Sequence, residues 1–397
     1  MLQKNPQCGT IKGIKNTAFK KADLGDKKMK FVCDGTLLSD AALTVSKACA
    51  VKTITPILEC IKIKAANDGI TLVAYDGEIS IEKKVVAEIM EEGELCVNGK
   101  TFADFVNKIS AFEVVISSNE KGITIKYGDS ETYMQSLSAD EFPKMGERNW
   151  EDKAYFETKE NDLKELISKV VFCCATDESR PILKGCLLES KGGKLTATAL
   201  DGFRMATSYC ETTAGTGDMK IVCPARTLIE ISRMLGSDDA LKIYADKNVL
   251  SVGVADTVIT SRLYMGEFVR KENIYPIDFT TKVSVKRAEL IDSIERASVL
   301  IRGDKNNLIT LDIKLGKIII NANSEMGKVE ESVGADLEGK ELKIAMNGKY
   351  ILDALKALNE ETVVLSFNTS VSPFTLENEN DNKNQYLILP VRTGNAN

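Results

Sequence analysis

The stretch Cys96-Val-Asn-Gly-Lys-Thr-Phe-Ala-Asp-Phe-Val106 has the pattern of a strand that ends directly in the start of a helix. The same junction recurs as Cys223-Pro-Ala-Arg-Thr-Leu-Ile-Glu-Ile231 and as Ala345-Met-Asn-Gly-Lys-Tyr-Ile-Leu-Asp-Ala-Leu355, with starts 127 and then 122 residues apart. A second pattern, the entry of an amphipathic helix, recurs at Leu37, Leu163 and Leu290. Two patterns with one period of about 125 residues predict three tandem small domains rather than a solenoid of short units.

Each repeat has the same predicted order of elements: a helix, antiparallel strands, a second helix and further antiparallel strands. Helical spacing predicts six helices, at 37–52, 99–110, 162–173, 225–235, 287–302 and 348–358. Helices packed on antiparallel sheets make an α+β fold. The repeat predicts a disordered extension or tag at 1–28 and domains at 29–150, 151–276 and 277–397.

The composition limits the class of protein. With 43% hydrophobic and 28% charged residues, the chain is predicted to be a soluble globular protein. No run approaches the 18 apolar residues that a membrane span needs. Residues 1–28 are polar and lysine-rich, and they lack the apolar run of a signal peptide.

The cysteines and the lack of histidine limit the chemistry. The chain has ten cysteines, no C-x-x-C pair and no histidine. We therefore expect buried reduced thiols and a cytoplasmic protein, with no structural zinc site, no other metal and no cofactor. Catalysis that uses a histidine base is excluded, and no group of carboxylates, lysines or tyrosines forms a recognisable catalytic motif. The chain is predicted not to be an enzyme.

One short motif offers an enzymatic alternative. Gly99-Lys100-Thr101 at a strand-to-helix junction is similar to the end of a phosphate-binding loop, but Glu94 stands where the full pattern requires glycine. The other repeats have Ala225-Arg226-Thr227 and Gly348-Lys349-Tyr350 at this position, which is typical of a shared helix start. A phosphate- or nucleotide-dependent enzyme that uses this turn remains the alternative function.

The distribution of charge indicates a polyanionic partner. The whole chain has a formal charge of −6, yet the six predicted helical stretches hold 13 basic against 9 acidic residues. Basic helices in an acidic protein predict a shared surface that faces the phosphate backbone of a nucleic acid. The candidates are Lys47, Lys52, Lys100, Lys108, Lys169, Arg226, Arg233, Arg296, Arg302 and Lys356.

From Met29 to Arg392 the chain resembles the bacterial DNA polymerase III β subunits, the sliding-clamp family. The resemblance is carried by Thr55-Pro-Ile-Leu58, Asp140-Glu-Phe-Pro143, Ala199-Leu-Asp-Gly-Phe-Arg-Met-Ala206 and Tyr386-Leu-Ile-Leu-Pro-Val-Arg392. It implies a head-to-tail homodimer that forms a ring of six domains around double-stranded DNA, without sequence preference. It also implies that the ring tethers the DNA polymerase III α subunit, the clamp loader and other proteins with a clamp-binding motif. A monomeric protein-binding scaffold is the third possibility.

The resemblance further implies specific residues. Thr132 and Met134 of one subunit would face Val299 and Leu300 of the other, and Lys52 would contact DNA. Family members often carry histidine at the position of Phe203 and proline at that of Val269. Partner peptides would enter a groove between the second and third domains, formed by Leu183, Leu200, Gly202, Phe203, Arg204, Met205, Val269, Ile274, Asn347, Tyr350, Val371, Leu387, Leu389, Pro390, Val391 and Arg392.

Overall fold

The computed structural model describes residues 28–67, 69–119, 121–144, 153–269, 274–276, 278–301, 307–379 and 381–392. In this part of the chain three α+β units follow one another, each with two helices on antiparallel sheets. None of the described helices is both long and apolar enough to cross a membrane. The predicted tail lies outside the described residues apart from Lys28, and so does the predicted boundary at Trp150.

The first unit contains nine strands and two α-helices. In chain order they are β1 (Lys30–Asp34), α1 (Gly35–Val45), β2 (Cys60–Ala66), β3 (Gly69–Tyr75), β4 (Ile79–Val86), β5 (Glu88–Glu91), β6 (Gly93–Asn98), α2 (Gly99–Val106), β7 (Glu113–Asn119), β8 (Gly122–Tyr127) and β9 (Ser130–Leu137).

The second unit repeats this order. It contains β10 (Tyr155–Lys159), α3 (Glu160–Val170), β11 (Gly185–Lys191), β12 (Lys194–Leu200), β13 (Arg204–Glu211), β14 (Ala214–Gly215), β15 (Met219–Pro224), α4 (Ala225–Met234), β16 (Ala240–Ala245), β17 (Val249–Val254) and β18 (Thr257–Arg262).

The third unit merges two strands into one long strand, β22. It contains β19 (Thr281–Lys286), α5 (Arg287–Leu300), β20 (Leu308–Lys314), β21 (Lys317–Ser324), β22 (Gly327–Gly339), β23 (Leu342–Asn347), α6 (Gly348–Ala357), β24 (Thr362–Phe367), β25 (Phe374–Asn378) and β26 (Gln385–Ile388).

The helices begin where the sequence places a capping side chain or an abrupt change of pattern. Asp34 Oδ1 accepts hydrogen bonds from the N–H groups of Thr36 and Leu37, at 2.7 and 3.1 Å. Asn98 caps α2 and Asn347 caps α6 in the same way. Short polar side chains at this position satisfy N–H groups that the helix itself leaves free. The helices α3, α4 and α5 begin without a side-chain cap, and all six predicted helices are present.

The core lies between the helices and the sheets. Leu38, Leu163 and Leu290 are buried at equivalent positions near the start of the first helix of each unit. Leu37, which the sequence pattern selects, is 51% exposed, so the predicted position is wrong by one residue. The nine described cysteines are all buried and free, as expected for small apolar side chains.

Two sheets run continuously across the junctions between units. Strand β4 of the first unit pairs with β18 of the second, and β13 of the second pairs with β26 of the third. The result is a sheet of 14 strands and a sheet of 12 strands. Backbone hydrogen bonds therefore join the units. The strands β9 and β22, which correspond to the joining strands, have no such partner in the described part of the chain: β9 pairs with β8 and briefly with β6, and β22 pairs with β21 and, from Ala335, with β19.

Candidate functional site

An apolar cluster lies at the junction of the second and third units. Of the predicted groove residues, Leu183, Leu200, Met205 and Leu387 are buried in it, and Ile274 and Leu389 pack against it while partly exposed. These residues come from five separate segments of the chain, so only the fold brings their side chains together. An apolar floor with exposed apolar neighbours is the form of a peptide-binding groove.

A tight turn positions the edge of this cluster. Asp201 Oδ1 accepts hydrogen bonds from the N–H groups of Phe203 and Arg204, at 2.9 and 3.0 Å. Gly202 has φ +92°, in the region where L side chains are strained. The turn leaves Phe203 60% exposed, and its ring stacks on Tyr350 of the third unit with 6.3 Å between centroids.

Arg204 lies beneath this edge and joins the two units. Its Nε donates to Asp201 Oδ2 at 3.0 Å, and its Nη1 donates to Asp353 Oδ2 on α6 at 2.7 Å. Its Nη2 donates to the carbonyl of Phe172 at 2.8 Å, and the guanidinium lies 4.5 Å from the centroid of the Tyr350 ring. Because its side chain is only 7% exposed, Arg204 supports the groove from below.

The C-terminal segment forms one side of the groove. The N–H of Leu389 donates to the carbonyl of Phe203 at 2.9 Å, and the N–H of Val391 donates to the carbonyl of Ala345 at 2.8 Å. Pro390 is half-buried and Arg392 is exposed. The first bond continues the pairing of β13 with β26, and the second attaches the segment to β23, so the two bonds hold the segment beside the apolar cluster.

Other groove candidates are less closely involved. Val269 and Val371 are exposed and lie outside the cluster, and Asn347 accepts a hydrogen bond from Lys349 N–H as the cap of α6. The sequence analysis missed the buried members Ala175, Leu187, Val222 and Phe268. An apolar Phe268 beside Val269 was a usable signal, whereas Leu187 and Val222 look like ordinary strand residues. An open cleft of about 540 Å³ adjoins the cluster at Leu187, Val222, Tyr264 and Phe268.

Most of the predicted DNA-facing residues are exposed. Arg226, Arg233, Arg296 and Lys356 each form an ion pair with an acidic side chain. Among the described residues no ion pair includes the other exposed candidates, Lys47, Lys52, Lys100 and Lys108. All four belong to the first unit, which therefore presents the least neutralised basic surface.

The structure contradicts the prediction for Lys169. Its side chain is 5% exposed, and Nζ donates at 2.6 Å to the carbonyl of Ala357 at the end of α6. Burial lowers the pKa of this lysine, with Glu165 acting in the opposite direction. Lys169 is thus a contact between the second and third units instead of a free charge. Arg302, another candidate, lies outside the described residues.

The Gly99-Lys100-Thr101 turn is a capped helix start. The Thr101 N–H, which a phosphate loop would direct at its ligand, donates to Asn98 Oδ1 at 3.0 Å. Gly99 is buried, and a Cβ added there would lie within 2.3 Å of the Cys49 sulfur. Packing therefore accounts for the glycine, and capping accounts for the residue before it.

The predicted interface residues lie on strand β9 of the first unit and at the end of helix α5 of the third unit. Thr132 and Met134 are half-buried on β9, while Val299 is 56% exposed at the end of α5 and Leu300 is half-buried. Leu300 also accepts a hydrogen bond from Ser324 Oγ at 2.8 Å. Strand β9 pairs with β8 along one edge. Along its other edge it has only a short contact with β6, and the rest of that edge is open among the described strands.

Three family models match the chain in succession, for the N-terminal, central and C-terminal domains of the DNA polymerase III beta subunit, at residues 29–146, 157–269 and 272–392. Beta sliding clamps from Halalkalibacterium halodurans and Bacillus subtilis are each 32% identical over 92% of this chain and 100% of their own length. The chain belongs to the DNA polymerase III beta subunit family.

Solved structures agree with this assignment. The DNA polymerase sliding clamp from Bacillus subtilis matches with a TM-score of 0.87 and 31% identity, over 92% of this chain and 99% of that chain. A putative DNA polymerase III beta subunit from Eubacterium rectale matches with a TM-score of 0.86 and 30% identity, covering 92% and 100%. The chain is accordingly a sliding clamp, a non-catalytic factor that gives a DNA polymerase its processivity. The enzymatic alternative is superseded.

Proposed function

We propose that two copies of the chain associate head to tail into a closed ring of six domains around duplex DNA in the cytoplasm. One observation carries this proposal. The two junctions within the chain pair the same two strands of successive units. Among the described residues, the corresponding strands β22 and β9 each keep part of one edge without a partner, in β22 before Ala335 and in β9 before Ser136. A second copy satisfies both open strands, and two such contacts close the assembly.

Basic residues on the helices and in the segments that follow them support the contact with DNA. We propose that Lys47, Lys52, Lys100 and Lys108 supply most of the attraction for phosphate, because no described ion pair neutralises them. Arg226, Arg233, Arg296 and Lys356 would contribute less, since each already lies against a carboxylate. Contacts of this kind hold the duplex without reading its sequence.

The apolar groove supports the proposed binding of partner proteins. We propose that the polymerase III α subunit, the clamp loader and other partners each insert a short apolar peptide against the Leu183, Met205 and Leu387 cluster. The exposed ring of Phe203 and the half-buried Leu389 would contact the peptide directly. Tethering raises the effective concentration of the polymerase at the primer end, which is how a clamp without chemistry increases processivity.

Retention on DNA tests the ring. After a clamp loader has placed the protein on nicked circular DNA, the protein should elute together with the circular DNA. When a restriction enzyme linearises the DNA, the protein should dissociate from it. Equal retention on both forms would contradict encirclement. Lys47→Glu with Lys52→Glu should shorten retention, most at low salt, and Lys220→Glu with Lys191→Glu serves as a control of equal charge on the second unit.

Peptide binding tests the groove. A fluorescent peptide from the C-terminal region of the polymerase III α subunit should lose at least about tenfold in affinity on Leu389→Asp, because a carboxylate would enter the apolar contact. Leu315→Asp is the matched control, since Leu315 is 79% exposed on a remote turn. Unchanged affinity in the Leu389 variant would remove the groove assignment.

A further inference from the structure

Equivalent positions in the three units can be counted along the sheet ladders. One ladder starts three residues before the second helix of each unit and ends on the strand that reaches the next unit. It runs through Cys96–Lys62–Val73–Glu82, through Val222–Leu187–Thr198–Thr207 and through Ala345–Thr310–Asn321–Glu330. Glu82, Thr207 and Glu330 are therefore equivalent.

A second ladder defines the strand that receives this partner. It starts four residues before the first helix of each unit. It runs through Phe31–Ile116–Ile125–Thr132, through Phe156–Ile243–Val252–Ile259 and through Val283–Leu365–Leu376–Tyr386. Thr132, Ile259 and Tyr386 are therefore equivalent.

Both junctions within the chain use the same register. At the first junction Ile81 pairs with Ile259, and at the second Ala206 pairs with Tyr386. In each pair, the residue just before the last residue of the first ladder faces the last residue of the second ladder. If the contact between two copies follows the same rule, Val329 of one copy pairs with Thr132 of the other.

We propose that two copies close the ring in this register, so that Val329 faces Thr132 and the neighbouring residues Glu330 and Glu131 face each other. The inference rests on the proposed ring and specifies how it closes. The burial of neighbouring residues supports it, because Thr132 lies opposite buried Ile125 and Val329 lies opposite buried Ala322. The half-buried pair then lies on the helix-covered face and the two glutamates lie on the exposed face.

The opposed glutamates distinguish the closing contact from the two internal junctions. The corresponding pairs are Glu82 with Val258 and Thr207 with Gln385, neither of which joins like charges. Glu131 pairs with Lys126 of its own copy at 3.1 Å, whereas no described ion pair includes Glu330. Exposed Lys328 lies on the same face and is diagonal to Glu131 in this register, so it offsets only part of the repulsion. Like charges directly opposite each other weaken a strand pair.

Charge reversal tests the opposed pair. Glu330→Lys should tighten the dimer about tenfold, measured as the midpoint of dissociation by mass photometry, since each ring contains two such contacts. Adding Glu131→Lys should remove most of that gain by opposing two lysines. Glu88→Lys, which makes the same change of charge on β5, should leave the midpoint unchanged. Tightening by Glu88→Lys as well, or none by Glu330→Lys, would overturn the opposed pair.

Cysteine cross-linking tests the register itself. The Thr132→Cys and Val329→Cys double variant should oxidise to a linked dimer, whereas Thr132→Cys with Glu331→Cys, two residues out of register on the same face, should not. The nine described native thiols are buried and should not compete. A dimer that links only in the second variant would overturn the inference and leave the ring intact. A chain that stays monomeric would instead overturn the proposed function.

Discussion

At the scale of single residues, Arg204 shows how burial can change the role of a predicted contact residue. The sequence placed its guanidinium in the groove, and the structure places it under the groove between Asp201 and Asp353. Lys169 makes a comparable contact with the end of α6. The sequence identifies these charges but not the contacts between units, because Asp353 and the Ala357 carbonyl lie on the third unit, far from Arg204 and Lys169 in the chain. Both residues hold the second and third units together.

Replacement of Arg204 should therefore affect stability as well as binding. We expect Arg204→Ala to lower the free energy of unfolding by about 2–4 kcal/mol, because Asp201 loses its buried partner while Asp353 keeps only its ion pair with Lys349. Urea denaturation measures this effect. Arg180→Ala, which removes an exposed arginine, should cost less than about 0.5 kcal/mol. Equal stability of the two variants would contradict the role of Arg204 between the units.

The cysteines allow a second prediction for individual residues. Burial raises the pKa of Cys49 and of Cys96 to about 12, so their thiols stay protonated at pH 8. We expect no more than one of the ten thiols to react quickly with a disulfide reagent in the native protein, and all ten to react after denaturation. Rapid reaction of several thiols in the native state would contradict the packed cores.

At the scale of elements, the sequence predicted the helices well and the strand boundaries less well. Helical spacing located all six helices, since their apolar faces repeat with a clear period. The apolar residues from Ile57 onward favour a strand, but Pro56–Glu59 forms a short 3₁₀ helix and β2 begins at Cys60. The four residues of β5 are mostly exposed and carry little pattern that would indicate a strand.

The start of α2 offers a test at this scale. Gly99→Ala should destabilise the protein by about 1–3 kcal/mol, because the new methyl group would meet the Cys49 sulfur and lie 3.2 Å from the Glu59 carbonyl oxygen. Thermal unfolding measures the effect. Gly236→Ala has open space around its Cβ and should be close to neutral. A tolerated Gly99→Ala would show that close packing does not explain this glycine.

At the scale of the whole molecule, the repeat predicted three units but not how they join. The period of the sequence is local information, whereas pairing of Arg204–Glu211 with Gln385–Ile388 links positions far apart in the chain. The groove forms only because these two strands pair. Residue patterns alone therefore could not predict the groove residues, whereas the resemblance to a family could. The same pairing, repeated at the first junction, leaves part of one edge of β9 and part of one edge of β22 without a partner among the described residues.

The mass of the protein in solution tests the ring most directly. Multi-angle light scattering of the purified chain should give about twice 43.5 kDa at micromolar concentration, because two copies complete each other's open strands. The mass should stay at this value over a range of concentrations, without growth into longer chains. A constant mass of 43.5 kDa, or a mass that rises steadily with concentration, would contradict a ring closed by two copies.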